Sequence, residues 1–172
     1  MMKLIKSTDP ILKTKSEPWR FETPEDFSEA RQIEIDMVQF MIENNGVGLA
    51  ANQIGILKRV FAIRLKDQVP FCMFNPWIIS GDDEMIDDEE GCLSFPDLWL
   101  NVKRHKKITA GYIDRQGNKC IIELTDRDAR CFQHELDHLD GVCFTDNISP
   151  LKLALAKKKL EKQRKKNGRA KR

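Results

Sequence analysis

The stretch Cys131-Phe132-Gln133-His134-Glu135-Leu136-Asp137-His138-Leu139-Asp140-Gly141 decides how the rest of the chain is read. Its character is helical. The predicted helix starts near Thr125, with Asp128 three residues on as a capping-box partner, and stops at Gly141. Two histidines four apart lie on one face, one turn from each other, so both rings can meet a single ion. Glu135 comes from the same turn and can reach water at that ion. The chain holds three histidines in all, so this spacing uses two of them. The plainer alternative is a pair of ordinary histidines on a wet helix.

Working outward, the segments before this helix read as strands. Lys103 to Asp114 and Lys119 to Leu124 flank Arg115-Gln116-Gly117-Asn118 as a hairpin. Lys58 to Leu65 and Pro70 to Ile79 are rich in Val, Ile and Phe, and Gly81 to Glu84 is a turn. Before them comes a helix. Thr23 caps it, Pro24 suits its first position, and Glu25 and Asp26 suit its positive end. Ala30, Ile33, Met37, Phe40 and Met41 give it an apolar face, and Asn44-Asn45-Gly46 stops it. Residues 1–22 read as an arm on the body. Ser149-Pro150 opens a last helix, which Leu151 and Leu155, four apart, are expected to pack on the body. One helix, a block of strands, then helices is an α+β order without the alternation of a parallel sheet.

A chain of 172 residues suits one domain with its own core, and 41% apolar residues are enough to fill it. No apolar run is long enough to span a membrane, and the start of the chain is too polar for a secretion signal, so the expected location is cytoplasmic. Five cysteines without a Cys-x-x-Cys pair argue against a disulfide framework. The net charge of +2 hides a split: residues 151–172 carry +10, leaving −8 on residues 1–150. The body is therefore no general nucleic-acid binder, whereas the tail has the charge for it.

A hydrolytic site needs a third ligand and an open position. Cys131 shares the helix with both histidines, but seven residues, about 10 Å of rise, separate it from His138. It is better suited to the core or to a pocket wall. Cys92, in the polar stretch Glu89-Glu90-Gly91-Cys92-Leu93-Ser94 between strands, is better placed in kind, although spacing alone does not choose it.

Three segments together carry a family resemblance. Gly46-Val47-Gly48-Leu49-Ala50-Ala51-Asn52-Gln53, Glu90-Gly91-Cys92-Leu93-Ser94 and Gln133 to His138 resemble, in order and separation, the three signatures of the peptide deformylases. The likeness runs from about Leu4 to Pro150. It implies a catalytic domain over 1–150, with antiparallel sheets packed around a central metal-binding helix, followed by a basic C-terminal helix and tail over 151–172. It implies removal of the N-formyl group from the initiator methionine of nascent proteins, with formate released. It makes Cys92, His134 and His138 the metal ligands, and names Fe2+ as the cofactor with Zn2+, Ni2+ or Co2+ as substitutes. Glu135 becomes the proton carrier, and Gln53 and the N–H of Leu93 become donors to the developing oxyanion. Val47, Gly48, Gly91 and Cys131 become the surface that receives an extended peptide and its methionine.

The chemistry of these residues agrees. A neutral amide such as Gln53 donates to a developing oxyanion without adding a charge. A carboxylate beside activated water can take its proton and pass it to the leaving amine. A thiolate suits a soft or borderline ion and is prone to oxidation. The tail, by the same resemblance, is a handle for ribosomal RNA. Two positions depart from the family pattern. Trp99 stands where many relatives carry Arg, and Asp88 stands where an apolar residue is common. Both bear on the pocket rim and on peptide preference. Two other readings compete: a zinc endoprotease, which shares the helix motif, and a non-enzymatic RNA-binding protein, which the basic tail would suit.

Overall fold

The computed structural model describes residues 2–170, with side chains through Lys166; Lys171 and Arg172 at the end of the expected tail lie outside the described residues. Helix α1 spans Pro24–Glu43. Strands β1 (Gly48–Ala50), β2 (Val60–Ile63), β3 (Phe71–Gly81), β4 (Met85–Cys92), β5 (Phe95–His105), β6 (Lys107–Ile113) and β7 (Lys119–Thr125) follow. Helix α2 (Asp126–Leu139) and helix α3 (Pro150–Ala170) close the chain. The strands form a five-stranded antiparallel sheet in the order β1-β2-β3-β6-β7 and a separate two-stranded sheet of β4 and β5. The α+β class expected from the element order is the class observed.

Strand β2 explains how the layers stack. Val60, Phe61, Ala62 and Ile63 are all fully buried, as a strand covered on both faces must be. Alternation sends Val60 and Ala62 to the α1 side, where Ala30, Met37 and Met41 pack on them. Phe61 and Ile63 face α2, where Phe132, Ala129 and Leu139 meet them. The rings of Phe61 and Phe132 pack edge to face, 5.3 Å apart. From its other side α2 reaches the small sheet, where Arg130 and His134 bond Glu90 of β4. Helix α2 therefore lies between the two sheets.

The arm and the first helix follow their sequence. Trp19 is buried against Phe74, and Asn75 ties it by hydrogen bonds at 2.7 and 2.9 Å. Thr23 caps α1, and Asp26 returns its carboxylate to the Thr23 N–H. At the far end it is Asn45, not Gly46, that turns left-handed, with φ 57°.

Three expectations are corrected. The stretch Glu89 to Ser94, expected as a polar segment between strands, instead holds the end of β4 and the turn into β5. The acidic run Asp87-Asp88-Glu89-Glu90 has little strand propensity of its own and is held by pairing with β5, whose Leu98, Leu100 and Val102 alternate into the interior. The expected strand from Lys103 breaks at Lys106, leaving Lys103 to His105 in β5 and starting β6 at Lys107. At the N-terminus of α2, Asp128 forms no capping box, and Thr125 makes no side-chain cap bond. The Asp128 carboxylate instead accepts the Lys66 N–H at 3.0 Å.

Helix α3 opens at Pro150 as expected but packs on a different face. Leu153, Ala156 and Leu160 lie on Leu98, Leu100, Val102 and Phe144, a three-then-four spacing that makes one stripe. Leu151 and Leu155 are 72% and 60% exposed. Two residues from Leu153 is about 200° around a helix, so they point away. Beyond Leu160, Arg164 ties the helix to the Pro96 carbonyl and the Asp97 carboxylate, at 2.8 and 2.9 Å.

Candidate metal centre

Helix α2 places His134 and His138 one turn apart, with ring centroids separated by 5.0 Å. The end of β4 brings Cys92 to them: its Sγ lies 3.2 Å from His138 Nε2. A ligand atom from each of these three residues lies within 4.8 Å of the other two. Bonds of about 2.0–2.3 Å at tetrahedral angles would separate such donors by roughly 3.3–3.6 Å. One thiol and two imidazoles thus suit a divalent transition metal with one position open. Cys131, the other thiol considered, lies outside the group, half-buried, with Sγ 3.5 Å from the Val47 carbonyl.

The orientation of His134 supports the same reading. Its Nδ1 lies 2.9 Å from Glu90 Oε2, leaving Nε2 to face the cluster. A carboxylate behind a ligating imidazole sets its tautomer and raises its basicity. Glu90 is itself clamped. Arg104 donates to both of its oxygens, at 2.9 and 3.1 Å, and Arg130 donates to Oε1 at 2.8 Å. Burial works against the Glu90 charge, but bonds from His134 and Arg104 prevail and hold its carboxyl down at about 2. Arg104 also donates to Asp137 at 2.6 Å. For His134, burial opposes protonation, yet hydrogen bonds to Cys92 and Glu90 lift the imidazole to about 10. His138 is driven the other way, by burial and then by the neighbouring His134. A cation among these donors takes the place of a proton, so its binding releases one.

Gln53 comes from the short turn after β1. Its Oε1 accepts the Ala50 N–H at 2.8 Å, which leaves the NH2 to point at Cys92 Sγ, 3.3 Å away, and Ser94 Oγ, 3.2 Å away. Glu135 is buried, and burial raises its carboxyl to about 7. Its Oε2 has no partner among the described residues, although buried polar atoms nearly always find one. Gly48 makes room for it: a Cβ on Gly48 would sit 2.2 Å from Glu135 Oε1.

These groups open onto a cleft of about 470 Å³. Val47, Gly48, Gly91 and Cys131 line it, with Leu93 in the turn after β4. Every site residue that the resemblance names therefore borders the cleft or the cluster at its base; Trp99 lines the cleft as well, whereas Asp88, expected at the rim, does not. Sequence reading gives no role to four supporting residues: Glu90, Ser94, Arg104 and Arg130. Glu90 carried a signal, being an acidic residue two positions from Cys92. Arg104 carried one too, as the charged member of the buried alternation Leu98, Leu100, Val102.

The model of the polypeptide deformylase family matches residues 1–154. The chain belongs to the polypeptide deformylase family. Peptide deformylase 2 of Xanthomonas axonopodis pv. citri is 40% identical over 168 residues, covering 96% of this chain and 97% of that protein. Among solved structures, the peptide deformylase of Legionella pneumophila superposes with a TM-score of 0.84 at 34% identity, with 98% of each chain covered. That of Thermotoga maritima gives 0.81 at 36% identity, with 87% of this chain and 99% of the other covered. Deformylases are metal-dependent hydrolases, and the Cys92, His134 and His138 group is a metal-binding group of the kind that chemistry requires. No described helix of this deformylase is long and apolar enough to cross a membrane.

Proposed function

We propose that this chain removes the N-formyl group from the N-terminal methionine of newly synthesised proteins and releases formate. Residues 1–150 carry the catalysis and 151–172 form a basic appendage. The observation that carries the reading is the convergence of three donors, an aimed amide and a buried carboxylate with one unpartnered oxygen at the base of one cleft. Cys92, His134 and His138 hold the metal in this reading. Fe2+ is the native ion that the family resemblance implies, and Zn2+, Ni2+ or Co2+ can replace it, since a thiolate suits any of these borderline centres. When bound, the ion supplies Lewis acidity, which activates water at neutral pH.

The other roles belong to side chains. Val47, Gly48 and Gly91 offer backbone to an extended peptide, and Val47 and Cys131 receive its methionine. Strand β1 is the last strand of its sheet, and β4 has one neighbour, so each keeps an edge for such pairing. Gln53 Nε2 and the Leu93 N–H donate to the formyl oxygen as negative charge gathers there. Glu135 takes a proton from the attacking water and delivers it to the departing amine. A carboxyl raised to about 7 is suited to both halves of that transfer.

Nascent chains are the substrate, so the enzyme works in the cytoplasm beside the ribosome. The tail supplies contact, since each Lys or Arg that neutralises an RNA phosphate releases a counterion. The test uses protein purified without oxygen. Its metals are measured, and formate release from formyl-Met-Ala-Ser is compared with casein cleavage. Formate without casein cleavage is expected. In Glu135→Gln the metal is retained and turnover falls by about 100-fold or more. Near-normal turnover in that variant, or casein cleavage by the wild type, would overturn the reading.

A further inference from the structure

Trp99 is 60% exposed, yet it lines the cleft. An exposed indole at the mouth of a binding cleft is a surface that a ligand can cover. Its ring lies flat on β4: a Cβ on Gly91 would meet Trp99 ring carbons at 2.9 to 3.0 Å. Gly91 therefore shares a face with Trp99, and so does Glu89, two residues earlier. The register agrees, because Glu89 pairs with Asn101, the next residue on the Trp99 face of β5. Glu89 also lines the cleft. Its carboxylate is in no ion pair among the described residues, whereas nearby Asp97 is committed to Arg164. An indole and an unpaired carboxylate thus stand side by side on the outer face of the small sheet.

The opposite face of that sheet belongs to α2, through Glu90, Arg104, Arg130 and His134. A peptide paired along the β4 edge would direct its side chains alternately to the two faces. With the methionine directed to the α2 side, at Val47 and Cys131, the next side chain is directed to the Trp99 side. The cations of the cleft, Arg127 and Arg130, belong to α2 and so to the methionine side.

We propose that Trp99 and Glu89 are specificity-determining residues that favour lysine or arginine immediately after the formyl-methionine. The aliphatic stem of such a residue covers the indole, its cation lies over the ring, and Glu89 supplies the counter-charge. Glutamate or aspartate at the same place meets Glu89 as a like charge. The proposal rests on the deformylase reading, and its test separates the two.

Formyl-Met-Lys-Ser, formyl-Met-Ala-Ser and formyl-Met-Glu-Ser are compared as substrates of the metal-loaded enzyme. The Lys peptide should exceed the Glu peptide in kcat/KM by about tenfold, the combined scale of an exposed cation–π contact and a surface ion pair. The difference should lie in KM and shrink as salt rises. Glu89→Gln should remove the salt-sensitive part. Trp99→Ala should remove the rest, and Trp99→Phe should restore some of it. Equal kcat/KM for the Lys and Glu peptides, or a preference unchanged in both Glu89→Gln and Trp99→Ala, overturns the proposal. Binding of the deformylated peptides Met-Lys-Ser and Met-Glu-Ser, followed by indole fluorescence against Trp99→Phe as control, decides the rim independently of turnover. Absence of formate from all three substrates would overturn the activity, while equal affinities in this binding arm would overturn the rim.

Discussion

Gly48→Ala adds one methyl group at the point where the fold and the chemistry press hardest on each other. Gly48 has no left-handed φ, so alanine costs nothing in backbone conformation and the variant isolates a contact. The new Cβ would lie 2.2 Å from Glu135 Oε1, 2.7 Å from Cδ and 2.8 Å from Cγ. Ordinary contact is about 3.5 Å, so the carboxylate must retreat by more than about 1 Å or β1 must shift by the same amount. A misplacement of about 1 Å in a reacting group is worth on the order of 100-fold in rate. Overpacking of a filled interior costs about 1–3 kcal/mol in stability. Cys92, His134 and His138 are not touched, so metal content should hold. The assay is formate release from formyl-Met-Ala-Ser, read with metal content and a thermal melt. A folded, metal-replete Gly48→Ala protein with kcat within about threefold of wild type would refute the argument, because Glu135 could then leave its place without consequence.

Glu90→Gln should weaken metal affinity by about 10- to 100-fold, since the amide cannot serve His134 as a charged acceptor. It should also destabilise the protein by about 3–5 kcal/mol by leaving Arg104 and Arg130 underpaired in the interior; metal competition and denaturant melts check both, and unchanged values would remove Glu90 from the support of the site. Cys92→Ser should lose metal, whereas Cys131→Ser should keep it and alter mainly stability or KM; metal analysis giving the reverse would mean that the wrong thiol was chosen as ligand. Truncation after Leu160 removes Arg164 and its exposed pair with Asp97, so stability should change by less than about 1 kcal/mol and hydrolysis of a short formyl peptide should persist. The same truncation should abolish the steeply salt-dependent part of ribosome co-sedimentation, and equal sedimentation of the full-length and truncated chains at low salt would rule out the tail as a handle.

Much of the site was legible in the primary structure because helical spacing is local. Two histidines four apart share a face in any helix, and Thr23-Pro24-Glu25-Asp26 starts α1 through contacts within one turn. Segments whose order depends on distant partners were less legible. Strand β4, with Asp87 to Glu90 in a row, has little reason of its own to be extended. It forms because β5 lies beside it and α2 supplies Arg130 to its carbonyls, with Ile86 O at 2.8 Å and Asp88 O at 3.3 Å. The packing face of α3 is illegible for a related reason. Leu151–Leu155 and Leu153–Leu160 are both helical spacings, and only the position of Leu98, Leu100 and Val102 selects between them.

By itself, the sequence determined the helices, strands β2, β3, β6 and β7, the α+β class, the charge split and, through three ordered motifs, the family. Those are properties of neighbours along the chain and of composition. Tertiary structure alone brings the Cys92 thiol, which the resemblance names but spacing does not choose, to the histidines: Cys92 and His138 are 46 residues apart and meet through the end of β4 at 3.2 Å. It alone decided that Glu90 stands behind His134 at 2.9 Å, with two arginines holding its charge in the interior. It alone set Trp99 across Gly91 at the cleft. Contacts between distant segments follow from strand register and layer stacking, and neither can be read from local periodicity.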